Sequence, residues 1–203
     1  MSFLEHRDDG VEVDLKSWKF WRTVIIFFCV FSWAGHTVFE WPYCAAGATF
    51  FGSVSWDDEV LANPLKPYLV YGIATTVCFV FLIPFKHWIC ERVPSKWRAL
   101  LVFYVISVFL GMAGELIQGF LQNQPVDGVY PLWDVHDYPG NILGQAWIVN
   151  DIFLGLLITV GTYHIVPKCH RWLIKIDDKH SNILCAVVVA VFAILMVVTY
   201  VLW

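Results

Sequence analysis

A few short clusters hold most of the side chains in this sequence that could do chemistry. The stretch WDVHDYPGN puts Asp134, His136 and Asp137 close together, where a loop can converge them on one cation or one proton path. Glu115 and Gln118 are three apart, and His36 and Glu40 four apart, so each pair shares a face on a helix. Asn141 follows the loop, and Asn150 and Asp151 are adjacent beyond it. Carboxylate and imidazole suit hard to borderline divalent metals, so Glu40, Glu115, Asp134, Asp137, His36 and His136 are candidate ligands for a divalent metal ion. Paired carboxylates also suit acid–base chemistry, because proximity drives their pKa values apart. On that reading Glu115, Asp134 and Asp137 are the catalytic candidates, and Gln118, Asn141, Asn150 and Asp151 extend a polar path. Each residue also has an ordinary reading: Glu40 as a solvated helix end, His36 as an interhelical hydrogen-bonding residue, and Asp134 to Asp137 as a polar turn.

The elements that must position these residues are set by composition. The 203 residues are 59% hydrophobic and only 15% charged, with a mean hydropathy of +0.64. A soluble domain carries about 25% charged residues. Five apolar runs fall at about 20–41, 67–85, 99–121, 141–166 and 182–203, each near the ~20 residues that cross a bilayer. Backbone groups in lipid must pair within their own segment, so each run is expected to be helical. The expected fold is all-α, an integral membrane bundle of five transmembrane helices forming a single domain over 1–203. Pro84 and Pro167 stand at span ends as helix stops. Gly111 with Gly114, and Gly140 with Gly144, are expected to let helices approach closely.

Lys and Arg give the orientation. Lys16, Lys19 and Arg22 precede the first span. Lys86, Arg92, Lys96 and Arg98 follow the second, and Lys168, Arg171, Lys175 and Lys179 follow the fourth. The other two loops hold one basic residue between them, Lys66, and the first of them carries Asp57, Asp58 and Glu59. The positive-inside pattern predicts a multi-pass protein of a cell membrane with a cytoplasmic amino terminus and its carboxy terminus outside. His36, Glu40, Glu115, Gln118 and the loop of Asp134, His136 and Asp137 then fall in one layer at the outer leaflet. Asp151 is expected about ten residues into its span, ~15 Å deep at 1.5 Å per residue.

Several classes are excluded. No basic face or Lys/Arg-rich run offers a nucleic-acid footprint. The six cysteines form no CxxC pair, and no phosphate-cradling glycine loop or HExxH is present.

The segment from Gly114 to Gly155 resembles the VanZ-like group of small bacterial membrane proteins. Those proteins carry Glu-x-x-Gln at a helix end, an Asp-containing loop, then Asn-x-x-Gly. Glu115 and Gln118, Asp134 and Asp137, and Asn141 and Gly144 stand at the matching positions. The basic residue usual in that loop is absent here. The resemblance covers about a fifth of the chain and implies a site at the cell surface more than an activity.

The leading expectation is an outward-facing polar site that binds a divalent cation or the polar head of a lipid-like substrate, with or without catalysis. The alternatives are a non-catalytic subunit of a larger membrane complex and a small cation transporter. Expected partners are the lipid bilayer and either other membrane subunits or further copies of the chain, with no nucleic acid.

Overall fold

The computed structural model of the chain describes residues 11–51, 59–126, 130 and 133–202, with the backbone alone at 47, 51 and 59. Of the acidic triplet noted above, Asp57 and Asp58 lie outside the described residues. The protein is all-α, 77% helical, with five helices long and apolar enough to cross a membrane. These run Trp18–Phe50, Leu69–Arg92, Lys96–Gln122, Ile148–Leu173 and Asp178–Leu202.

Three of the five spans pass straight through a proline, and two of these, Pro84 and Pro167, were expected to stop them. Each proline follows a π-helical stretch by two residues: Gly35–Glu40 before Pro42, Cys78–Leu82 before Pro84, and Gly161–Ile165 before Pro167. A proline has no N–H, and its ring strikes the carbonyl four residues back. A locally widened turn removes both conflicts, so the helix continues.

The described chain falls into two compact units, Ile83–Lys168 and Val11–Leu82 with 169–202. In the first unit, the third and fourth spans form an antiparallel pair. The Phe103 and Tyr163 rings meet at 5.3 Å near one end, and Gly111 faces Leu154 further along. Gly155 lies against the backbone of Val108, and Gly119 against the side chain of Gln145. Gly114, by contrast, faces open space. Lys86 is fully buried inside the second span rather than in a loop. Its Nζ lies 3.5 Å from the Thr162 carbonyl, in the π-helical stretch, and 5.2 Å from the Tyr163 ring centroid.

Residues 141–147, expected to open the fourth span, instead form a small antiparallel hairpin that pairs Asn141 with Trp147 and Ile142 with Ala146. Leu143 and Gly144 both have positive φ, 55° and 67°, and the Gln145 amide closes the turn on the Ile142 carbonyl at 3.0 Å. Two successive residues at positive φ are the signature of a tight hairpin turn. Gly140 and Gly144 therefore serve a turn, not a helix–helix contact. Leu143 carries the strain of a left-handed residue with a Cβ.

In the second unit the first span packs on residues 69–82 of the second and on the fifth. Phe79 meets Phe27 at 4.8 Å and Phe20 at 6.4 Å edge-on, and Phe28 meets Phe192 at 6.0 Å. Gly35 accommodates Tyr71, and Gly72 accommodates Ser32. Arg22, 6% exposed, donates to Asn182 Oδ1 at 2.9 Å and to Asp178 Oδ1 at 3.3 Å. Near its other end the fifth span is held by Tyr200, whose hydroxyl donates to the Pro67 carbonyl at 2.8 Å. The most apolar window of this span is only 11% buried, a surface suited to lipid.

Candidate functional site

The third and fourth spans approach closely because glycines stand where they cross. On the third span Ser107, Gly111, Glu115 and Gly119 recur every four residues; on the fourth, Asp151, Gly155 and Thr159 do the same. Residues four apart share a face, so each span offers a seam of small and polar groups to the other. Within this seam Asn150 donates from Nδ2 to Glu115 Oε1. The Glu115 carboxylate also accepts from the Trp147 backbone N–H and meets the carboxyl of Asp151. Asp151 is fully buried, and apart from its contact with Glu115 neither of its oxygens meets a hydrogen-bond donor.

Asp151 is shallower in its helix than expected. The fourth helix begins at Ile148, so Asp151 stands in its first turn, where the helix dipole favours a carboxylate. The reason is the hairpin, which takes the residues the sequence reading had placed in the helix.

Beyond the carboxyl pair the seam continues. Ser107 is 1% exposed with an unpartnered Oγ, Thr159 is 5% exposed, and Thr162 and Lys86 are fully buried. None of these residues was a candidate in the sequence reading. The signal was present in the four-residue recurrence, which escapes notice when charged residues alone are sought.

The seam is closed at its Gln122 end by a hydrogen-bonded knot. The Asn123 amide donates to the Gln145 side chain at 3.1 Å and to the Trp133 carbonyl at 2.6 Å. Gln145 returns a bond to the Asn123 carbonyl at 2.9 Å, and Trp133 Nε1 donates to the Gln145 carbonyl at 2.9 Å. Asn123 and Gln145 are buried, so these bonds tie the loop, the hairpin and the end of the third span together.

The loop cluster is a separate feature. His136 Nδ1 lies 2.7 Å from Asp134 Oδ1, the His136 N–H donates to the same oxygen at 2.9 Å, and the ring stacks on Tyr130 at 5.2 Å. Asn141 supports the turn by donating to the carbonyls of His136 and Tyr138. Asp134, His136 and Asp137 are all exposed, and Gln118 is half-buried. His36 and Glu40 lie in the other unit. His36 is fully buried, with Nε2 3.1 Å from the Val60 carbonyl, and Glu40 takes a hydrogen bond from Tyr71. Among the described residues no three His, Cys, Asp or Glu side chains gather as a metal-holding group. The six candidate ligands are thus divided among three places: the loop, the carboxyl pair and the second unit.

The Asp134 carboxyl is held below the usual carboxylate range, first by the His136 N–H and then by the His136 ring. A lowered folded-state pKa contributes stability above the ordinary carboxylate pKa and loses it as pH falls through the lowered value. The turn at 134–136 is expected to stay ordered at neutral pH and to loosen on acidification below the ordinary carboxylate range. Amide exchange across 134–144 as a function of pH reads this directly, and Asp134→Asn should remove the pH dependence.

A family model described as Putative ABC-transporter type IV matches residues 26–200. That family is a membrane family and is not VanZ-like, so the match displaces the resemblance drawn from Glu115 to Gly144. No curated protein and no solved structure matches the chain.

Proposed function

From the fact that the chain belongs to the Putative ABC-transporter type IV family, we propose that it is a membrane transport subunit whose third and fourth spans hold a site for a cation or a cationic group. The observation that carries this reading is Asp151: fully buried, facing Glu115, and with no other donor on its oxygens. Two carboxyl groups brought together away from water call for a proton or another positive charge between them. Asn150 fixes the Glu115 side chain, so the pair is positioned rather than mobile.

The basic loops favour a cytoplasmic amino terminus, which would set the carboxyl pair toward the outer leaflet. The Asp134–His136 turn would then lie on the approach to it from outside. These 203 residues contain no phosphate-cradling loop. Any ATP hydrolysis that drives the transport would take place outside these residues.

Hydrophobic carbodiimides react with carboxyl groups held in apolar surroundings, which gives a test that needs no known substrate. Purified protein in lipid nanodiscs, treated with dicyclohexylcarbodiimide and analysed by peptide mass spectrometry, is expected to be labelled at Glu115 or Asp151. Added sodium or tetramethylammonium should protect the site. Labelling at neither residue, or labelling that no cation reduces, would overturn the reading.

A further inference from the structure

A second polar site lies in the other unit, around the Trp18 end of the first span. A cavity of about 290 Å³ is bounded there by the segment before the first span, by residues 170–176 at the end of the fourth, and by the start of the fifth. Its polar lining holds both signs of charge: Glu12, Asp14 and Asp178 against Lys19 and Arg22, with buried His170 beside them. Phe20, Ile26 and Leu173 supply an apolar wall.

Three observations narrow the occupant. First, the cavity sits where three spans end. Trp18 and Trp172, exposed at 56% and 61%, are the residue type that settles at the headgroup level of a bilayer. Second, the cationic groups are partly spent. Arg22 donates to Asn182 and Asp178, and Lys19 Nζ pairs with Asp178 Oδ2 at 2.8 Å. Of the five N–H groups of Arg22 and the three of Lys19, some remain to be given. Third, three carboxylates face two cations, so a purely anionic ligand would meet net repulsion, whereas an added ammonium would meet Glu12 and Asp14. A ligand carrying a phosphate and a primary ammonium a few bonds apart answers all three. The volume holds about ten water-sized groups, enough for such a headgroup.

We propose that this cavity binds a zwitterionic lipid headgroup of the phosphoethanolamine type. The phosphate takes the remaining donors of Arg22 and Lys19, and the ammonium donates to Glu12 and Asp14. Choline presents no N–H, so the carboxylates distinguish the two zwitterions. The site involves neither the carboxyl pair nor its unit, and its test is independent of the transport reading.

The experiment is native mass spectrometry of the full chain released from nanodiscs of phosphatidylethanolamine, phosphatidylcholine or phosphatidylglycerol in equal parts. Retention of phosphatidylethanolamine is expected to exceed that of phosphatidylcholine by about tenfold, the scale of charge-assisted hydrogen bonds. The double variant Glu12→Gln, Asp14→Asn should lose that preference. Both residues are exposed on a non-helical segment, so the variant should fold. Equal retention of the two zwitterions by the unaltered chain, or stronger retention of phosphatidylglycerol, overturns the proposal.

Discussion

Asp151→Asn is expected to make the protein more stable and to abolish cation protection of the carboxyl pair. A buried carboxylate without hydrogen-bond donors is a liability to the fold. The asparagine amide removes the charge and can donate to Glu115, already bonded by Asn150. The gain should be about 1–3 kcal/mol, the range for relieving an unsatisfied buried polar group. A thermal-unfolding midpoint measured in detergent reads the stability arm, and carbodiimide labelling of Glu115 with and without sodium reads the other. A lower midpoint for Asp151→Asn would show that the carboxyl holds the helices together. Higher stability joined to loss of cation protection is the pattern of a residue retained for function at a cost in stability.

The second large effect concerns the fit of the two spans. A Cβ on Gly155 would lie 2.8 Å from the Val108 nitrogen and 2.9 Å from its Cα. Backbone on an opposing helix cannot swing aside as a flexible side chain can, so Gly155→Ala must push the spans apart. The expected loss is at least the ~1–3 kcal/mol typical of overpacking. The displacement should reach Glu115 and Asn150, so carbodiimide labelling should change as well. Gly114→Ala is the control. It stands on the opposing third span, faces open space and trades glycine for a better helix former, so it should be neutral or stabilise by ~0.5–1 kcal/mol. If both alanines behave alike, the close approach at Gly155 is not what sets the packing.

These residues also show what the sequence could and could not convey. Five spans and their approximate order were legible because ~20 apolar residues in a row have few other fates. The boundaries were misjudged where Pro84 and Pro167 were taken as helix stops. Pro42, Pro84 and Pro167 each lie within a helix, because a π-helical stretch just before them absorbs the missing N–H. Nothing in the local composition announces such a stretch. The hairpin at 141–147 was hidden for a different reason. Asn-Ile-Leu-Gly reads as the opening of a helix, and the positive φ of Leu143 runs against that residue's own preference.

The carboxyl site was half legible. Glu115, Asn150 and Asp151 stood out as polar residues in apolar runs, and the structure joins all three. Their separation from Asp134 and His136 could not be foreseen, since it depends on Asn123 and Gln145 pinning the loop. His36 and Glu40 share a helix face as their spacing implied, yet each is taken by the 59–71 region, His36 by Val60 and Glu40 by Tyr71. Spacing along one helix says which residues are neighbours, not which other segment will claim them.

The division of the chain has a consequence for its biogenesis. Ile83–Lys168 is continuous, but the other unit is made of Val11–Leu82 and a stretch beginning at residue 169. A ribosome adding ~5–20 residues per second needs on the order of ten seconds to make the intervening unit. Through that interval the newly inserted first span holds Arg22 without Asp178 or Asn182, the partners that later neutralise and bury it. A nascent chain stalled before the fifth span therefore keeps its Arg22 guanidinium open at the Trp18 end of the first span, to be buried only when Asp178 and Asn182 are made.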